Sequence, residues 1–535
     1  GLFFEFSYDC IDKWISENTT HLEERFEKYF EELPNLNSQG LSSKMKIYNN
    51  KVIYYQQAPM PFVTRATGTL ATAVNDTAND VRGMDVIDYD YSIIRVQHDI
   101  KETANHTNMG MFVDNGVTIG MTNDNKLQND WYLKLDGKID LVGKSQLVQT
   151  TNSELDVTST GSIERDQQGQ SNRFNYNYWS SPVSSINNST INHGYTVAGV
   201  MKDGTNPDSI QNLNWTSGTN SSATSPITLS SYWIYKFQNV GNNYYNWSSV
   251  GQNGALLAGQ GFTLKGSNAI TSDQNYTFVG KPNNGTISTA VGANNLMLAG
   301  NPYPSAIDAD EFINDNLSTI TGTLYFWEHY STNTSHNTIQ YQGGYATRNL
   351  TGSTAPSAPA IVSGLGSSTK EPGRFIPVGQ GFFVAGNATG GTLTFQNDQR
   401  LFIKESNVQS NTLFRENNMM NSANPLFDNT EDTFADEQYM KIKLGFKSSN
   451  NYYRQVLIGF MNDKATSEID PGYDAAHLDD KPNDMYFMQN TAKLNIVGDG
   501  YFNINNIYPL GVKVAAAGNT TIGIDKKENV DENIE

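Results

Sequence analysis

The stretch LAGNPYPS, residues 298–305, ends an apolar run with prolines at positions 302 and 304. Proline lacks an amide hydrogen and cannot continue a helix or a central strand, so we expect a strand to end at Gly300. A related stretch, YWSSPVSS, occupies residues 178–185, and its Pro182 lies 120 positions before Pro302. The pair raises the question of whether one structural unit occurs twice.

A second pair of motifs has the same offset. GQGFTLKG at 259–266 and GQGFFVAG at 379–386 are also 120 positions apart. Their paired glycines permit a close backbone approach or a bulge, and the following Phe begins a strand pattern. We interpret both motifs mainly as structural turns. Together they predict a tandem duplication of antiparallel β units, 171–290 and 291–405, packed about a pseudo-twofold axis.

Sequence patterns in the rest of the chain predict mainly β structure with one N-terminal helix. Apolar residues at helical spacing predict a helix over 11–33. Short apolar pairs between polar or Gly punctuation over 111–170 are typical of β-solenoid rungs. Regular alternation of apolar and polar residues after residue 436 predicts a C-terminal antiparallel β-sandwich. The predicted division is therefore an N-terminal region 1–110, solenoid-like rungs 111–170, the copies 171–290 and 291–405, a polar linker 406–435 and a sandwich 436–535.

Composition excludes several classes of function. The 535 residues carry a net charge of −19, which repels phosphate backbones and argues against a nucleic-acid partner. Cys10 is the single cysteine, so an intramolecular disulfide, a thiolate zinc cluster and a CxxC redox site are excluded. We find no apolar run long enough for a transmembrane helix.

Six segments resemble large cell-surface proteins of gliding Bacteroidota, which are cargo of the type IX secretion system. They are WYLKLDGKIDLVGKSQLVQTTNSELDVTSTGSIERDQQG (131–169), GNPYPSAIDADEF (300–312), YFWEHY (325–330), FIPVGQGFFV (375–384), EIDPGYDA (468–475) and YPLGVKV (508–514). The resemblance implies export to the outer surface of a Gram-negative cell, with the type IX translocon and its shuttle protein as partners. It also implies a C-terminal sorting domain beyond Glu535.

Aromatic residues cluster in the duplicated region, flanked by Asn, Asp and Gln. Flat rings stack on the apolar face of a sugar while side-chain amides bond its hydroxyls. Packing in a core is the competing interpretation, because alternate rings of a strand must face inward. The candidate glycan contacts are Trp179, Trp233, Tyr235, Trp247, Tyr325 and Trp327.

An acidic loop offers a candidate Ca²⁺ site, since Ca²⁺ takes six to eight oxygen ligands. Its candidate ligands are Asp470, Asp474, Asp479, Asp480 and Asp484. The spacing does not match an EF-hand, and a solvated acidic loop is the alternative. No other cofactor is indicated.

Catalytic signatures such as GxSxG, HExxH, a P-loop or a dinucleotide fingerprint do not occur. We therefore expect a non-enzymatic, adhesin-like or structural surface protein, with a carbohydrate-binding module or polysaccharide-active enzyme as the alternative. DTA (76–78) and DSI (208–210) resemble the O-glycosylation signal of this bacterial phylum. Thr77 and Ser209 are the candidate modification sites.

Overall fold

The computed structural model describes residues 62–74, 93–330, 333–405, 439–478, 481–515 and 517–531, and the backbone of 47–48 and 51–52. Several predictions lie outside the described residues: the helix 11–33, Cys10, Thr77, the linker 406–435, Asp479 and Asp480. The described part is mainly β, as predicted, and includes a short β-solenoid of about 3 turns. No helix among the described residues is long and apolar enough to cross a membrane.

The N-terminal part of the described chain consists of short strands and one short helix. In chain order these are β1 (Ile47–Tyr48), β2 (Lys51–Val52), β3 (Phe62–Val63), α1 (Leu70–Val74), β4 (Ile93–Val96), β5 (Ile100–Glu102), β6 (His106–Val113), β7 (Thr118–Met121), β8 (Lys126–Leu135), β9 (Lys138–Leu141), β10 (Gln146–Gln149), β11 (Glu154–Leu155) and β12 (Ser162–Gln170). Strands β3, β4, β6, β8 and β10 form one parallel sheet, and β5, β7, β9 and β12 pair in parallel in a second.

Isoleucines stack through the solenoid at one position of each rung. Ile100, Ile119, Ile139 and Ile163 are register partners in neighbouring strands and are almost fully buried. Stacking identical branched side chains in parallel strands fills the narrow interior without voids. Parallel pairing begins before residue 111, because the rungs of β4 and β5 already belong to the same stack.

The duplicated region contains most of the remaining strands. They are β13 (Tyr176–Trp179), β14 (Val183–Ser184), α2 (Val197–Val200), β15 (Met201–Asp203), β16 (Gln211–Asn212), β17 (Asn214–Thr216), β18 (Thr228–Ser230), β19 (Tyr235–Lys236), β20 (Ser248–Ser249), β21 (Phe262–Lys265), β22 (Asp273–Pro282), β23 (Ile287–Gly292), β24 (Leu296–Gly300), β25 (Ala306–Asp308), α3 (Ala309–Asn316), β26 (Ile320–His329), β27 (Gly343–Arg348), β28 (Ser353–Ser357), β29 (Phe375–Ile376), β30 (Gly381–Gly386), β31 (Gly390–Phe395) and β32 (Arg400–Leu401).

The strand before each proline turn pairs with the strand after each GQG motif, in one register. In β13–β21, Trp179 lies opposite Phe262. In β24–β30, Ala299 lies opposite Phe382, so both partners are shifted by the same 120 positions. β24 ends at Gly300, where the sequence predicted a strand end.

The two copies exchange reciprocal contacts through their GQG motifs. Trp179 bridges to Gln380 and Ala299 bridges to Gln260, in both cases with antiparallel geometry. A Cβ on Gly261 would lie 2.7 Å from Cγ of Leu298, and one on Gly381 would lie 2.8 Å from the backbone carbon of Tyr178. The glycines are therefore required, since each motif presses on the strand of the other copy.

Two buried asparagines fix the proline turns. Asn283 donates from Nδ2 to the carbonyls of Ser181 (3.1 Å) and Pro302 (2.9 Å), so it ties the two turns together. Asn301 donates to the carbonyls of Ser305, Ile376 and Pro377 at 2.8–3.1 Å. The GNPYP stretch is thus a buried turn, and Asn283 connects it to the matching turn of the first copy.

The C-terminal part forms one sheet. Its strands are β33 (Met440–Lys447), β34 (Tyr453–Phe460), β35 (Ala475–Ala476), β36 (Asp484–Gln489), β37 (Ala492–Asp499), β38 (Leu510–Lys513) and β39 (Thr521–Glu528), in the order β38-β36-β37-β34-β33-β39 with β35 on β37. All pairs are antiparallel except β34–β37. A parallel pair needs a long crossover, which the segment after β34 supplies.

Strand pairing and packing join these parts to one another. β22 of the first copy adds antiparallel to β12 of the solenoid, from Ile163 to Gln170. At the other end, Leu350 and Thr351 of the second copy bond to Gly472 and Tyr473 of the C-terminal part. A groove lies where the first copy, the second copy and the C-terminal sheet meet.

Candidate functional site

The groove consists of two adjoining cavities of about 350 and 480 Å³. Aromatic side chains dominate the first cavity: Tyr176, Tyr178, Tyr232, Trp233, Tyr235, Tyr244, Tyr245, Trp247, Trp327, Tyr341 and Tyr345. The second cavity shares Tyr244, Trp247 and Tyr345 with the first. We call the two together the aromatic groove. Its volume and its mixture of rings with a few polar groups are typical of a small-molecule site.

Strand alternation in β13 decides which rings face the groove. Side chains two positions apart point to the same face of a strand, so Tyr176 and Tyr178 both line the first cavity. Trp179 points to the other face and is 1% exposed. There it packs against Tyr276 and Phe278, with ring centroids 5.5 and 5.9 Å away. The prediction of Trp179 as a glycan contact is therefore wrong, because its ring is core.

The structure brings the other candidate glycan contacts together. Trp233, Tyr235, Trp247 and Trp327 line the first cavity. Tyr325 lines the second. The indole N–H of Trp327 donates to His329 Nε2 at 3.0 Å, which fixes that ring. Burial lowers the pKa of His329 to about 3, so its imidazole is neutral.

A lysine lies beneath the first cavity inside a cage of rings. Lys265 Nζ is 3.8 Å from the ring centroid of Trp233 and 4.2 Å from that of Tyr176. It donates to the hydroxyl of Tyr341 and to Nδ1 of His336, the latter at 3.1 Å. Burial lowers the pKa of Lys265 to about 7. A cation over ring faces holds those rings in place, so Lys265 positions this wall of the groove.

His336 completes the cage from the outer side. Its ring stacks on Trp233, with centroids 4.7 Å apart and an interplanar angle of 23°. Nε2 lies 3.0 Å from Asn220 Oδ1, which fits a neutral ring that donates there and accepts from Lys265. Burial, followed by the charge of Lys265, lowers the pKa of His336 to about 4. This cage could not be predicted from sequence patterns, because its members lie far apart along the chain.

A buried ion pair lies at the second cavity. Arg454 and Asn495, which line this cavity, contact a network centred on Asp484. Arg454 Nε donates to Asp484 Oδ1 at 2.9 Å, and His477 lies between Asp484 (2.9 Å) and Asn495 (2.8 Å). Burial raises the pKa of Asp484, but the hydrogen bond from His477 and the charge of Arg454 lower it overall.

Three of the candidate Ca²⁺ ligands, Asp470, Asp474 and Asp484, are described, and each accepts hydrogen bonds from protein groups. Asp470 Oδ2 accepts hydrogen bonds from Thr466, and both carboxylate oxygens of Asp474 accept backbone N–H groups. Asp484 is committed to Arg454 and His477. Among the residues that the structure describes, no three His, Cys, Asp or Glu side chains are grouped to hold a metal ion.

Ser209, the described candidate for modification, ends the 3₁₀ turn Pro207–Ser209 and is exposed. Its hydroxyl is accessible to a modifying enzyme, whereas a buried serine would not be.

The fold and the groove define the class of this molecule: a mainly β protein in which a short solenoid joins paired β units that frame an aromatic groove. The chain belongs to the family described as a domain of unknown function, DUF8693, whose model matches residues 202–534. Comparison with the curated proteins and with solved structures finds no match.

Proposed function

We propose that the protein is a non-catalytic, adhesin-like module that binds glycans in the aromatic groove. The observation that carries this proposal is the groove itself, where indole and phenol rings lie beside amides and hydroxyls. Tyr245 is 88% exposed, and Tyr232 and Tyr244 are about half exposed. Exposed rings in a concave surface stack on sugars, and the neighbouring amides bond sugar hydroxyls.

The lining residues support binding over hydrolysis. Glycosidases use a pair of carboxylates that flank the scissile bond. Among the described residues that line the two cavities, none is Asp or Glu. We therefore propose adhesion rather than polysaccharide cleavage as the role of the groove.

Location at the outer surface of a Gram-negative cell is part of the same proposal. It is supported by the resemblance of six sequence segments to type IX secretion cargo of gliding Bacteroidota. In that setting the translocon and its shuttle protein are partners during export, and the groove faces extracellular glycans afterwards.

A glycan array followed by calorimetry tests the proposal. We expect specific binding by the full chain. We expect Trp233→Ala or Trp247→Ala to lower the affinity at least about tenfold, because each substitution removes an aromatic ring that lines the groove. The matched control is Tyr501→Ala, an exposed aromatic that lines neither cavity, which should bind like wild type. Absence of binding by the folded chain to any glycan, or equal losses in the control, would contradict the proposal.

A further inference from the structure

Among the described residues that line the two cavities, Arg454 is the one cation; Lys265 lies beneath the first cavity, and protein groups hold both side chains. We infer that the groove selects an uncharged, extended glycan. This inference rests on the proposed function and names the class of ligand for the same site.

Lys265 is not available to a negatively charged ligand. The residue is 1% exposed, and rings of Trp233 and Tyr176 cover its ammonium group. Two of its N–H groups donate hydrogen bonds to Tyr341 and His336. A carboxylate or sulfate would have to break this cage to reach the charge, whereas an uncharged sugar ring stacks on the cage from outside.

Arg454 is equally committed. Its side chain is 3% exposed and pairs with the fully buried carboxylate of Asp484. Because Asp484 neutralises Arg454, the pair brings no net charge to the wall of the cavity. The polar groups that remain along the second cavity are the uncharged side chains of Asn242, Asn243, Asn495, Thr347 and Ser357. Such groups match sugar hydroxyls.

The ring surface continues from one cavity into the other. Tyr176 and Tyr178 are two residues apart on β13, which places them about 7 Å apart. The ring centroid of Tyr178 is 5.9 Å from that of Trp247, a residue that both cavities share. A glycan that spans both cavities therefore contacts more rings than a single sugar does.

The charge of the whole protein favours the same ligand class. A net charge of −19 repels polyanions at long range. An acidic polysaccharide would need local cations to overcome that repulsion, and protein groups already hold Lys265, Arg454 and Lys481, the last through the carbonyl of Pro359.

Calorimetry on the full chain with two series of oligosaccharides tests the inference. The neutral series is gluco-, manno- and xylo-oligosaccharides from one to six units, and the acidic series is oligogalacturonate and oligomannuronate of matched length. We expect at least one neutral hexamer to bind about tenfold more tightly than its monomer and than any acidic hexamer. We expect its affinity to change by less than about twofold between roughly 50 mM and 500 mM NaCl, since no ion pair forms.

The outcomes separate this inference from the proposed function. Preferred binding of an acidic series that weakens with salt would overturn the inference and leave glycan binding intact. If a neutral monomer binds as tightly as the hexamer, the inference that the ligand is extended is wrong. If no member of either series binds and the glycan array is also blank, both the inference and the proposed function are overturned.

Discussion

The two copies of the β unit share a hydrogen-bond register but differ in the side chains at matched positions. Tyr176, Tyr178, Trp179, Thr263 and Lys265 of the first copy correspond to Leu296, Leu298, Ala299, Phe383 and Ala385 of the second. The register is therefore the same despite these different side chains, and the glycines of the GQG motifs are common to both copies. At these positions the first copy carries Tyr176, Tyr178 and the caged Lys265 of the groove, while the second has the aliphatic residues Leu296, Leu298 and Ala385.

The second copy contributes to the groove from different strands. Trp327 on β26 and Tyr345 on β27 line the first cavity, and their ring centroids are 5.0 Å apart. The groove's aromatic residues thus lie on strands that do not correspond between the two copies. The shared strand pairs are therefore structural, and the aromatic lining of the groove depends on the side chains that each copy adds.

Replacing Trp179 by the residue of the second copy should give the largest effect. We expect Trp179→Ala to lower the free energy of unfolding by about 3–5 kcal/mol, because it leaves a cavity beside Tyr276 and Phe278. Urea unfolding monitored by circular dichroism measures this. Tyr501→Ala is the exposed control and should change stability by less than about 0.5 kcal/mol. If Trp179→Ala lowers the free energy of unfolding by no more than the control does, both copies tolerate alanine at this position.

Removing the link between the proline turns should give a smaller effect. Asn283→Ala leaves the carbonyls of Ser181 and Pro302 without this donor in a buried site, so we expect a loss of about 1–3 kcal/mol in the free energy of unfolding. Asn188→Ala, at an exposed position, is the control. The same unfolding assay applies, and equal stability of the two variants would mean that the copies do not depend on this joint.

The smallest effect concerns Lys265, whose counterpart is Ala385. Burial lowers its pKa from 10.5 to about 7 in the folded state. Between these pH values the unfolded chain binds more protons, so this lysine makes stability rise with pH from about 7 towards 10.5. We expect Lys265→Met to remove a slope of at most about 1.4 kcal/mol per pH unit, measured by urea unfolding between pH 7 and 9.

Lys101→Met, at an exposed lysine, is the matched control and should leave the pH dependence unchanged. If Lys265→Met keeps the wild-type slope, Lys265 does not exchange its proton on unfolding. In that case the cage of rings holds the ammonium form at every pH tested.

The local features of the fold follow from sequence because they depend on neighbouring residues. Proline and glycine chemistry predicted the end of β24 at Gly300 and the strand that follows the GQG motif at 379–381. Alternation predicted the short rungs of the solenoid, and Ile139 lies in its buried stack. The start of the solenoid was missed, because β4 and β5 have too few residues to show a period.

The site is harder to predict, because it depends on contacts between distant segments. Trp233, His336 and Lys265 meet only after three separate segments pack together. Composition identified the aromatic cluster but did not say which rings face outward. Alternation in YNYW could have placed Trp179 opposite Tyr176 and Tyr178, which would have removed it from the candidate contacts.

The antiparallel pairing of β12 with β22 has a mechanical consequence. Tension on the solenoid along the strand direction would shear the ladder between Ile163–Gln170 and Asp273–Gly280, so that many hydrogen bonds share the force at once. Such a ladder resists pulling better than a hairpin that opens one bond after another. The ladder therefore joins the solenoid to the first copy, which lines part of the aromatic groove, through a connection that resists tension along its strands.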